Sequence, residues 1–143
     1  MHTSSPFLFW TIVVLVSART HEGDVDDLYS RIRGPYDQLL KTEVLSVPLP
    51  LSKIQALLHI CMWPLPCEVQ TQDPSWVYCG IALNSALYLS LHRSRSMPSL
   101  HCVGVASGSP QIRANTWLGC FYVSTSYVVI TRNILWIGVL DID

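Results

Sequence analysis

The segment LSKIQALLHICM holds the residues with the most chemical promise. His59 and Cys61 are the raw material of a thiol–imidazole pair, in which the ring takes the proton and the thiolate attacks. They stand two positions apart. On a helix that spacing puts them on different faces, so no such pair is predicted. Cys61 instead falls on an apolar stripe and reads as core. Cys67 follows after MWPLP. Two thiolates and an imidazole could begin a metal site, but structural zinc sites pair their cysteines about two to four residues apart. Cys61, Cys67, Cys79, Cys102 and Cys120 form no C-x2-C pair. Asp24, Asp26 and Asp27 resemble the start of a calcium loop, yet the further oxygen ligands and closing Glu are missing. They read as acids at a helix start. His92-Arg93 could hold an anion, but after a long apolar run it reads as the cationic partner of a helix C-terminus. No phosphate loop, dinucleotide fingerprint, nucleophile elbow or HExxH motif occurs. No catalytic, cofactor-binding or metal-ligating residue is predicted, and no enzyme is expected.

Composition narrows the class further. The chain has 143 residues, enough for one domain or a piece of one. Half of it is hydrophobic and 13% is charged, too apolar for a disordered segment. Net charge is −1, which leaves no electrostatic footprint for nucleic acid or an anionic membrane. The five cysteines are odd in number and widely spaced, unlike a disulfide framework. They read as free thiols in a reducing compartment.

The elements that position these residues are helical. SSP at 4–6, DP at 73–74 and SP at 109–110 each put a capping side chain before a proline, and an apolar segment follows. Segment 24–33 runs from acids to arginines, and Gly34-Pro35 is expected to break it, with a second short helix from Pro35 to about Val44. Segment 52–63 starts on a Ser52/Gln55 capping box and carries Ile54, Leu57, Leu58, Cys61 and Met62 on one face. Segment 74–92 is apolar nearly all round and is predicted to be the central buried helix. Segment 111–128 is the last helix, with Arg113, Trp117, Cys120, Phe121, Ser124 and Val128 on one stripe. Trp63, Trp76 and Trp117 read as core anchors, since no basic residues interleave with them as in a base-stacking platform.

The stretch SSPFLFWTIVVLVSART admits two readings. Its apolar run is half the length of a membrane span. It fits the h-region of a secretory leader, although the preceding MHTSSP has no Lys or Arg. It also fits a core helix capped at Ser5 with Pro6 in the first turn, against the strand preference of Thr11, Ile12, Val13 and Val14. A small secreted or membrane-associated protein with a leader is therefore the alternative reading of the chain.

The order of the pieces carries a resemblance. SPFLFWTIVVLVSA, LYSRIRGPYDQLL, LSKIQALLHICMWPLP, DPSWVYCGIALNSALYLSLHRS and RANTWLGCFYVST follow one another. This resembles the fungal-specific transcription factor domain, the middle homology region of fungal zinc-cluster regulators. The carrying words are the leucine-rich helix ending in Trp63-Pro64, the Asp73-Pro74 helix ending in Ser90-Leu91-His92-Arg93, and the helix of Arg113, Thr116 and Trp117. The resemblance implies an all-α fold, an irregular helical array forming the N-terminal part of a larger regulatory domain. It implies a domain over 4–128 and an unmatched tail over 129–143. It implies a nuclear transcription regulator that meets DNA only through a missing zinc-cluster head, with zinc held there and none in this chain. A homodimer or a co-regulator protein is the implied partner, and no membrane. It also favours the core-helix reading of the opening stretch.

Overall fold

The structure, a computed structural model, describes residues 5–20, 23–67, 73–93 and 108–140, with backbone alone for 23–27 and 130–140. The described residues contain five helices and no strand. They are α1 (Pro6–Ser17), α2 (Gly23–Val44), α3 (Leu51–Met62), α4 (Ser75–Tyr88) and α5 (Pro110–Leu140). The fold is all-α, as expected. Helix α3 is its centre and packs on α1, α4 and α5, while α2 is held through α1.

Helix α1 forms despite its β-branched run because burial outweighs propensity. Phe7, Val14 and Leu15 enter the core. Thr11 donates to the Phe7 carbonyl at 2.8 Å, and its hydroxyl lies 2.9 Å from that of Tyr36 on α2. The Tyr36 ring stacks on Phe7 at 6.4 Å between centroids. Pro6 fills the first helical position, but Ser5 makes no side-chain cap. No described helix is long and apolar enough to cross a membrane.

Helix α2 corrects one expectation, since Pro35 lies inside it rather than between two helices. The clash that usually stops a helix before proline involves the Cβ of the preceding residue. That residue is Gly34, which has none and meets no neighbour where a Cβ would stand. One helical pair also bridges the proline: the Arg33 Nε donates to Asp37 at 3.0 Å, while its guanidinium donates to the Tyr29 hydroxyl one turn earlier at 2.9 Å. Tyr36, Leu40 and Val44 continue the buried stripe in register.

The central helix is α3 and not α4. Leu51, Ile54, Ala56, Leu57, Leu58, Ile60 and Cys61 are all buried. Its N-cap is Pro50, so the Ser52/Gln55 capping box does not form. Gln55 instead donates to Thr116 of α5 at 3.0 Å. Helix α4 buries only its small residues, Ser75, Cys79, Ala82 and Ala86. These let it lie close on α3, and the large residues Trp76, Val77, Leu87 and Tyr88 are left exposed. Trp76, at 69% exposure, and Trp63, at 45%, are therefore not core anchors. Trp117 is the one of the three that packs against the core.

Helix α5 runs unbroken from Pro110 through residue 128 to Leu140. Gly108 precedes it at φ +134°, and a Cβ there would meet the Leu51 Cδ2 at 2.8 Å. Only glycine fits that backbone and that space. Its buried line is Arg113, Thr116, Cys120 and Val123. Phe121 and Val128 lie on the outside, contrary to the expected stripe.

Restoring the hydrogen bond that Pro35 cannot donate should stabilise α2. Pro35→Ala is expected to raise the urea midpoint, by up to the ~3 kcal/mol that an ordinary mid-helix proline costs. An unchanged or lowered midpoint would show that α2 depends on the proline geometry.

Candidate functional site

Residues with chemical potential converge where α3, α4 and α5 meet. Helix α4 ends in a Schellman turn. Ser90 takes a left-handed backbone at φ 54°. Its N–H donates to the Leu87 carbonyl at 2.9 Å, and that of Leu91 donates to the Ala86 carbonyl at 3.0 Å. This pair of bonds satisfies carbonyls that a helix end otherwise leaves open. Leu89 and Leu91 are buried, so water does not serve this end. The carbonyls of Leu89 and Ser90 are taken instead by the guanidinium of Arg113, each at 3.2 Å. Arg113 is 6% exposed and lies at the negative pole of α4.

The expected helix-end cations, His92 and Arg93, do something else. Both are exposed. The His92 ring rests on Trp117 at 5.7 Å, and the Arg93 Nε donates to His92 at 3.3 Å. The cation that caps α4 comes from α5, twenty residues further along the chain. The end of α3 receives the same treatment from Tyr127, whose hydroxyl donates to the Cys61 carbonyl at 3.1 Å.

Three thiols meet in the same core. Cys61, Cys79 and Cys120 come from α3, α4 and α5 and are all buried. The Cys61 thiol donates to the Ser75 carbonyl at 3.2 Å. Burial pushes its pKa far above the ordinary thiol value, with the neighbouring Cys79 and Cys120 adding to the rise. Burial likewise raises Cys79, and brings Cys120 to about 11. Thiols held protonated are poor nucleophiles and poor ligands.

The proposed chemistry of His59, Cys61 and Cys67 has no common site. His59 lines the grooves beside α1 and α5, its Nδ1 2.7 Å from the Gln55 carbonyl. Cys61 is sealed in the core, and exposed Cys67 borders a different cleft with Arg33 and Asp73. The side chains of Asp24, Asp26 and Asp27, and all of Cys102, lie outside the described residues. Among the described residues no group of three His, Cys, Asp or Glu is placed to hold a metal ion.

Sequence reasoning missed Arg113 as a cap, although one signal was present. A lone charge on an otherwise apolar stripe, beside Trp117 and Cys120, needs a buried partner.

The words that carried the resemblance are thus the parts of this joint. The left-handed position is Ser90 of Ser-Leu-His-Arg, and the capping group is Arg113 of the Arg-x-x-Thr-Trp helix. This chain belongs to the family of the fungal specific transcription factor domain, which matches residues 2–138. It is 30% identical over 126 residues to the putative transcription factor SEF1 of Kluyveromyces lactis, covering 85% of this chain and 11% of that protein. It is 29% identical to the transcriptional regulatory protein SEF1 of Candida albicans, over 85% of this chain and 13% of that protein. The putative transcription factor SEF1 of Saccharomyces cerevisiae is 26% identical over 91% of this chain and 11% of its own length. The chain thus spans about a tenth of the curated relatives it matches. No solved structure matches it.

Two substitutions at the joint should act in opposite directions. Ser90→Gly removes the Cβ from a left-handed residue and should stabilise the fold by about 1 kcal/mol. Arg113→Met takes the donor from the Leu89 carbonyl, while the Ser90 carbonyl keeps the Arg93 N–H at 3.1 Å, and should cost about 1–3 kcal/mol. Urea unfolding followed by circular dichroism reads both; loss of stability in Ser90→Gly would refute the cap geometry.

The thiol core sets an alkaline limit. An acid whose pKa is raised on folding stabilises fully below its unfolded value, near 9.0 for a thiol, and that stability is lost as pH rises through the folded value. The urea midpoint should hold to about pH 9 and fall from there towards 11. In a thiol-reagent assay at pH 8, Cys67→Ser should remove a fast phase, and Cys61→Ser should remove none. A fast phase from Cys61 would mean that the core is open.

Proposed function

We propose that this chain is part of the regulatory region of a fungal zinc-cluster transcription factor, and that it works as a protein-binding scaffold rather than as an enzyme. The observation that carries the reading is the family match over nearly the whole chain, with relatives described as transcription factors or regulators. Its place of action is the nucleus. DNA contact and zinc belong to a separate six-cysteine head, consistent with a chain of net charge −1 whose described thiols are mostly core.

What the chain offers to its surroundings is surface. Leu118, Phe121, Tyr122, Val128 and Val129 of α5 are exposed, as are Trp63 at the end of α3 and Ile12 and Val16 of α1. An apolar face of this extent marks a contact with other protein. A co-regulator or a second copy of the factor is the partner class that this reading implies.

Tethering tests it. Residues 1–143 fused to an unrelated DNA-binding head should change expression of a reporter carrying that head's site, relative to the head alone. The Arg113→Met fusion, with its joint opened, should lose the effect. Reporter output equal to that of the head alone, from a fusion shown to accumulate in the nucleus, would sink the regulatory reading.

A further inference from the structure

We propose that His92, Arg93 and Arg113 form a binding site for a phosphate monoester, at the corner where α4 ends and α5 begins. The proposal goes beyond the regulatory reading and does not depend on it.

Charge is unevenly laid out along the chain. Between Pro74 and Leu140 there is no Asp or Glu, but there are four Arg and two His. The net charge of −1 conceals this, because all ten acids stand at or before Asp73 or after Leu140. Such an asymmetry points to a charged partner. The described carboxylates are engaged elsewhere, Asp37 with Arg33, Glu43 with Lys53 and Asp73 with Ser75.

Three of the basic groups meet at one corner. The Arg113 Nη2 and the Arg93 backbone N–H donate to the same Ser90 carbonyl, at 3.2 and 3.1 Å. The Arg93 Nε donates to the His92 Nε2 at 3.3 Å. The His92 ring rests in turn on Trp117, one turn from Arg113 along α5. A guanidinium only donates, so the His92 Nε2 accepts and the ring proton sits on Nδ1, a donor.

Donors are left over here, and acceptors are not. Among the described residues Arg113 makes its side-chain hydrogen bonds through Nη2 alone. No buried side-chain nitrogen among those residues lacks a partner, so its Nε and Nη1 are reached by solvent although the residue is 6% exposed. His92 and Arg93 are exposed, and among the described residues Nδ1 of the one and the two terminal nitrogens of the other have no acceptor. The negative pole of α4 is already answered by the Ser90 turn and by Nη2. Arg113 also stands in the first turn of α5, whose positive pole favours an anion.

The count of charges and oxygens selects the ligand. A phosphate monoester carries about two negative charges at pH 7 and three strong acceptor oxygens. Two guanidinium charges and three donor groups match it. A carboxylate brings one charge and two oxygens, and a phosphate diester brings one charge. Guanidinium forks suit the paired oxygens of a phosphoryl group.

The test uses the purified 143-residue chain, titrated with glycerol phosphate by calorimetry. Saturable binding with one site per chain is expected. Acetate and dimethyl phosphate should bind at least about fivefold more weakly, the scale of one exposed charge pair. Arg93→Gln should weaken glycerol phosphate by a similar factor and Arg93→Lys by less, with the circular dichroism spectrum unchanged. Glycerol phosphate should also raise the urea midpoint of the parent chain and not that of Arg93→Gln, because only a bound ligand acts by mass action. A phosphoserine peptide distinguishes the sources. Tighter binding than glycerol phosphate assigns the site to a modified polypeptide, weaker binding to a small metabolite, and both support it.

A flat titration, equal affinity for dimethyl phosphate, or indifference to Arg93→Gln would overturn the proposal. So would an equal rise of both urea midpoints, which is the mark of a solute excluded from the surface.

Discussion

Helix α4 ends inside protein, and a buried helix end has carbonyls that must find donors. The turn at Ser90 serves two of them, and the guanidinium of Arg113 serves two more. Tyr127 gives the last turn of α3 its donor in the same way. Both donors stand on α5, fourteen positions apart and on the same side as Thr116, Cys120 and Val123. Polar demand thus fixes the rotation and the axial position of α5 together, while apolar packing alone would tolerate small slides. Every buried side-chain nitrogen and oxygen among the described residues has a partner. The core therefore carries no unmet polar cost that a different α5 register could relieve.

The same economy explains which surfaces stay open. Helix α4 buries Cys79, Ala82 and Ala86, and the carbonyl at its end is taken by Arg113 of α5. Its bulk is turned outward as a result. Helix α1 divides differently, with Phe7, Thr11 and Val14 inward and Phe9, Trp10 and Ile12 outward. An unusually apolar chain can satisfy its interior with small and medium residues and still show large ones at the surface.

Much of this was legible in the sequence. The proline punctuation placed the starts of α1, α4 and α5, and the spacing of Ile54, Leu57, Leu58 and Cys61 defined the inner face of α3. The stretch Gly34-Pro35 misled because the same glycine that usually announces a break removes the clash that would cause one. Helix α4 misled because periodicity cannot choose a face when every face is apolar; size decided, and Trp76 went outside. The joint was legible only as family words. Their physical content, a left-handed Ser90 and a capping Arg113, needs two segments seen together. The thiols of Cys61, Cys79 and Cys120 likewise look scattered along the chain and meet only in three dimensions.

The bond from Arg113 back to Leu89 and Ser90 ties α4 to α5 directly, on either side of the stretch from 94 to 107. The attachment of the two helices is thereby uncoupled from the length of what joins them. Closing a longer loop costs only about 0.6 kcal/mol per doubling of its length. Changing the number of residues between Arg93 and Gly108 should therefore cost the joint little, whereas changing Ser90 or Arg113 acts on the joint itself.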